Sequence, residues 1–113
     1  MPDYSAERQY YRIRYPIPAR PHIAIAGRSY EVLDCSERGV RYQAPPEEHP
    51  EMGSAVRGRI AFGRRGEADV AGVVVRLQGD NVVLHLTLEP IPLATVFAEQ
   101  RYLLEHYREA MRT

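Results

Sequence analysis

The stretch "ADVAGVVVRLQGDNVVLHLTL", Ala68 to Leu88, decides the fold. It holds two apolar runs, Ala68 to Leu77 and Val82 to Leu88, on either side of the tight turn Gln78 to Asn81. Short β-branched runs divided by turn formers read as two antiparallel strands. Gly72 lies inside the first run and predicts a bulge or a bend there. Upstream, "AVRGRIAF" (Ala55 to Phe62) alternates apolar residues with Arg57 and Arg59, so one of its faces is wet. "GRRGE" joins it to Ala68 as a hairpin turn.

Further toward the N-terminus, "HIAIA" (His22 to Ala26) is a strand and Gly27-Arg28 a turn. "SYEVLD" (Ser29 to Asp34) is a second strand with Tyr30 and Val32 on one face. After the break "CSERG" comes "VRYQA" (Val40 to Ala44), and "PPEEHPEMG" (Pro45 to Gly53) is a loop by its prolines, glutamates and closing glycine. Downstream, "EPIP" ends the sheet and the period becomes helical over about 93–111. Leu93, Val96, Phe97, Leu104, Tyr107 and Met111 fall on one stripe, with Leu103 at its border. Six strands and one helix predict a mainly β fold, a six-stranded antiparallel barrel with a C-terminal α-helix that caps the barrel or docks on a partner. Residues 1–16 show no clean period. Pro16, Pro18 and Pro21 mark an extended lead-in and forbid a helix.

Composition narrows the function. The chain has 113 residues, room for one domain, and 44% of them are apolar. Its 15 basic and 15 acidic residues balance, which argues against general nucleic-acid binding. All the basic residues are arginine, so every cationic contact is a planar fork of donors. The lone Cys35 cannot form an internal disulfide, and a reducing, cytoplasmic setting is expected. No apolar run approaches the ~20 residues of a membrane span. The N-terminus does not read as a signal peptide. His22, His49, His85 and His106 have no partner at metal-ligand spacing, and no phosphate loop or nucleophile elbow is present. Neither a metal site nor an enzyme is expected.

Two arginine-bearing motifs remain. The stretch "ERQYYRIRYP" (Glu7 to Pro16) holds Arg8 and Arg12 in an R-x-x-x-R spacing, with Arg14 close by. Read alone, it is a solvated charge cluster or a guanidinium pair aimed at phosphates or a guanine edge. Asp34, Ser36 and Gly39 form a D-x-S-x-x-G spacing between two strands, with Arg38 inside it. Read alone, it is a strand-to-strand turn. Its carboxylate could also accept hydrogen bonds from N1 and N2 of a guanine, its hydroxyl could add one more, and its glycine would allow a tight turn or a close ligand.

In this order the two motifs resemble the PilZ domain, a receptor for cyclic di-GMP. The resemblance implies a flexible lead-in over residues 1–16 and a single barrel domain over 17–113. It implies ligand contacts from Arg8, Arg12, Asp34, Ser36 and Gly39, with Arg14 and Arg38 as additional candidates. "EQRYLLEHY" (Glu99 to Tyr107) is similar to the C-terminal helix of some members. Many members carry two adjacent arginines at the start of the first motif; here the second is Gln9, one guanidinium fewer unless Arg14 or Arg38 replaces it. The sequence leaves open whether Tyr10 and Tyr11 stack on a base or pack on the barrel, and whether one ligand molecule binds or two. The expected function is a receptor, not an enzyme, that needs no cofactor and signals to an effector protein in trans without membrane insertion. The alternatives are a PilZ-like adaptor without ligand and a small barrel that binds single-stranded nucleic acid.

Overall fold

The computed structural model describes residues 12–108. Seven strands and one helix make up its regular structure: β1 (Ile13–Arg14), β2 (His22–Ile25), β3 (Arg28–Cys35), β4 (Gly39–Gln43), β5 (Ala55–Ala61), β6 (Glu67–Gln78), β7 (Asn81–Glu89) and α1 (Leu93–His106). All pairings are antiparallel, in the order β1-β3-β2-β5-β6-β7-β4, and β4 pairs again with β3. That last pairing closes six strands, β2 to β7, into a barrel, as the alternating pattern predicts. β1 adds to β3 beyond the end of β2, because β3 runs past its first partner.

Period-two alternation fills the barrel. Ile23, Val32, Tyr42, Ile60, Val70, Val82 and Leu86 all point inward and are buried. Each contributes roughly 1.5–3 kcal/mol by leaving water. Gly72 marks a register shift between β6 and β7. A Cβ there would lie 2.7 Å from Leu86 Cα and overlap the His85 carbonyl, so the two backbones cross where only glycine fits.

Two readings change. Residues 12–16 are anchored in spite of their lack of a clean pattern. Ile13 and Tyr15 are buried, and the Tyr15 amide donates to the Leu33 carbonyl at 3.0 Å. A two-residue strand is too short for its alternation to show. Residues 1–11, with Arg8, Gln9, Tyr10 and Tyr11, lie outside the described residues.

The helix also differs. It ends at His106, with Tyr107 already out of helical geometry, and Met111 lies outside the described residues. Its buried face is Val96, Glu99 and Leu103, while Leu93, Phe97 and Leu104 keep 39–44% of their surface exposed. The docked face is therefore rotated from the apolar stripe, and it includes a carboxylate.

Candidate functional site

The D-x-S-x-x-G segment connects β3 to β4. The Ser36 amide donates to the Gly39 carbonyl at 2.8 Å and closes a tight turn. The turn is tied to the rest of the barrel, since the Leu86 amide donates to the Arg38 carbonyl and the Ile91 amide to the Glu37 carbonyl, at 2.8 and 2.9 Å. Gly39 is not among the left-handed glycines, so its use is space. A Cβ there would stand 3.4 Å from Ser36 Oγ, in van der Waals contact with the hydroxyl.

Strand register then builds a row across five strands. Arg14 pairs with Asp34, Asp34 with Arg41, Arg41 with Val83, and Val83 with Arg76. Directly opposed residues share a face. The neighbouring row, Ile13, Cys35, Val40, Leu84 and Val74, lies wholly in the core. The first row therefore faces outward and floors a cleft of about 390 Å³, lined also by Arg12, Ser36, Gly39 and Val75. A side pocket of about 70 Å³ shares Arg12, Ser36 and Gly39 and adds Arg38 and His85.

A β-bulge completes the far wall. Val74 pairs with Leu84 and Arg76 with Val83, which leaves Val75 as an extra residue on β6. Strict alternation from the inward Val74 would turn Arg76 into the core. The bulge lets Val75 and Arg76, consecutive in sequence, both face the cleft.

The charges are unevenly matched. Arg20, Arg28, Arg57, Arg59 and Arg65 are held by carboxylates elsewhere. Among the described residues, Arg12, Arg14, Arg38, Arg64, Arg76, Arg101 and Arg108 form no ion pair, and Arg12, Arg14, Arg38 and Arg76 line the cleft or its side pocket. Arg41 pairs with Asp34: its Nε donates to Oδ2 at 2.8 Å, and its Nη2 lies 2.7 Å from the same oxygen as an ion pair. Five guanidiniums thus meet a single carboxylate in a chain whose net charge is zero. A wider hollow of about 540 Å³, beside Arg28 and Tyr30, has no such excess, because both residues are bound to Glu48.

A model of the PilZ domain family matches residues 6–105, nearly the whole chain. The chain belongs to the PilZ domain family. No curated protein matches it. Among solved structures, the Bacillus subtilis inhibitor of motility (MotI/DgrA) is similar at 16% identity and a TM-score of 0.67 over 94% of this chain. This chain spans about half of that one, 52%. A Legionella uncharacterized protein, Lpg0364, is similar at 15% identity and a TM-score of 0.54, over 92% of this chain and 100% of that one. At such identities the likeness is one of fold.

In this PilZ domain, the structure brings Arg12, Arg14, Asp34, Ser36, Arg38 and Gly39 to one cleft, and Arg8 lies outside the described residues. Sequence reading missed Arg41 and Arg76. Arg41 had a signal: folding β3 and β4 about the Ser36–Gly39 turn sets it opposite Asp34. Arg76 had none, because the bulge at Val75 carries no glycine.

Beneath the cleft lies a buried polar pin. Arg12 and Arg14 face the cleft while Ile13 and Tyr15 face inward, and the Tyr15 hydroxyl donates to Glu99 Oε1 at 2.7 Å. Arg65, from the β5–β6 turn, donates to both Glu99 oxygens at 2.5 and 3.2 Å and lies 3.7 Å above the Tyr102 ring. Burial pushes the Tyr15 hydroxyl well above its usual pKa, so it stays a donor. Burial also pushes the Cys35 thiol up to about 12, which makes it a neutral core group and not a nucleophile. No group of three metal-ligating side chains occurs among the described residues, and no described helix is long and apolar enough to cross a membrane.

Proposed function

We propose that this PilZ domain is a receptor for cyclic di-GMP that passes ligand occupancy to a partner protein through a changed surface. The observation that carries the reading is the cleft's mixed demand. Four unpaired guanidiniums attract phosphate, while the nearly buried Asp34, 4% exposed, repels it. A ligand that satisfies both must carry anions together with N–H donors. A guanine nucleotide does so: its phosphates face Arg12, Arg14 and Arg38, and its N1–H and 2-amino group face Asp34.

Each residue has a task in this reading. Asp34 Oδ2 already takes the Nε–H bond and the ion pair of Arg41, so Oδ1 is the oxygen left for the base. Ser36 adds a hydroxyl beside it, and the missing side chain at Gly39 lets the base reach that hydroxyl. Arg12 and Arg14 close from the lead-in side, and Arg8, four residues before Arg12 in the sequence, is assigned to the same ligand. The partner is addressed in trans, and the surface it reads includes the lead-in. Ligand binding changes that surface only to the extent that the two states differ in affinity.

Arg12→Ala is the first test. Loss of a charge-assisted contact is expected to weaken cyclic di-GMP by about 2 kcal/mol, roughly thirtyfold. The fold should be unaffected, because Arg12 is exposed. Calorimetric titration reads this directly. An unchanged affinity would mean that the arginines are merely solvated.

A further inference from the structure

We propose that Arg76 is a specificity-determining residue that reads the second guanine of the ligand. The inference rests on the cyclic di-GMP reading and extends it to the far wall of the cleft. The outward row starts at Arg14 and Asp34 on the lead-in side and ends at Arg76 on β6. Asp34 and Arg76 are three strand spacings apart, about 14 Å along the curved wall. A base held at Asp34 therefore leaves the other nucleotide of a cyclic dinucleotide running along this row toward β6.

Two features make β6 a receiving surface. Val75 presents an apolar side chain, 46% exposed, on which a base can rest. Arg76 stands next to it on the same side because of the bulge, and no carboxylate holds it among the described residues. Guanine offers O6 and N7 as adjacent acceptors that match the guanidinium fork. Adenine puts an amino donor where O6 would be and opposes it. Arg76 also supplies a guanidinium from the barrel in a chain whose first motif has Gln9 where many family members have arginine.

The experiment compares cyclic di-GMP with the mixed cyclic dinucleotide of one guanosine and one adenosine, by calorimetry on wild type, Arg76→Ala and Arg76→Lys. Wild type should prefer cyclic di-GMP by about tenfold, the discrimination of one bidentate pair. Arg76→Ala should lose about tenfold for cyclic di-GMP and bind both ligands alike. Arg76→Lys, which keeps the charge without the fork, should keep most of the affinity and lose the preference. The proposal is overturned if Arg76→Ala leaves both affinities unchanged, or weakens both ligands equally, since either result reduces Arg76 to a solvated or diffuse charge. If wild type binds neither ligand, the receptor reading fails first and this inference with it. Tight binding with the preference intact in Arg76→Ala defeats the inference alone.

Discussion

Glu99→Ala is expected to cost about 3 kcal/mol of folding stability, one of the largest effects of any single substitution outside the apolar core. Glu99 is 1% exposed and is the shared acceptor for Tyr15 from the lead-in and Arg65 from the β5–β6 turn. Removing it leaves a buried hydroxyl and a partly buried guanidinium without an acceptor, and opens a void between helix and barrel. Breaking a buried pair this way costs about 3–5 kcal/mol. The lower end applies because a quarter of the Arg65 side chain is exposed, 25%, and can turn toward water. Glu99→Gln keeps an acceptor for Tyr15 and should lose less than half as much. Urea unfolding monitored by circular dichroism separates the two by their midpoints. A loss below about 1 kcal/mol for Glu99→Ala would mean that Val96 and Leu103 hold the helix without the pin.

The second large effect is on ligand selectivity. Cyclic di-AMP is expected to bind about a hundredfold more weakly than cyclic di-GMP, or worse. Adenine has no N1 hydrogen and no 2-amino group, so a base over Asp34 would cover Oδ1 without donating to it. A polar site built for a hydrogen-bonding partner rejects an analogue that lacks it more strongly than an apolar pocket rejects a missing methylene. Asp34→Ala should erase the preference at this end of the cleft, and the fold should survive, because Arg41 is 38% exposed and can be hydrated once its partner is gone. Competition by the two ligands for one fluorescent cyclic dinucleotide measures the ratio. Equal affinities for wild type would show that only phosphates are recognised.

The sequence carried most of the barrel because strand alternation is a local signal. Val40 and Tyr42 point in and Arg41 out, and the same pattern repeats around the ring. Gly72 was legible as a bulge because glycine marks close backbone approach. The bulge at Val75 was not, since valine is at home in any strand. The D-x-S-x-x-G turn could be read, but the outward row it belongs to could not. That row joins Arg14, Asp34, Arg41 and Arg76 through the register of five strands, which only the closed barrel sets. The helix misled for a different reason. Glu99 is absent from the apolar stripe read from the sequence, and no local signal reveals that Arg65, 34 residues away, makes burial of a carboxylate tolerable. The same rotation brings Leu93, Phe97 and Leu104 to the surface.

The most direct test of the receptor reading is an amide-resolved NMR titration of the isotope-labelled chain with cyclic di-GMP. Among the described residues, the account predicts saturable shifts confined to Arg12–Tyr15, Asp34–Arg41, Val75–Arg76 and Val83–His85, with Ala24–Ser29 and Glu47–Gly53 unmoved. Absence of shifts at millimolar ligand, or shifts centred on the Arg28 and Glu48 hollow, would contradict it.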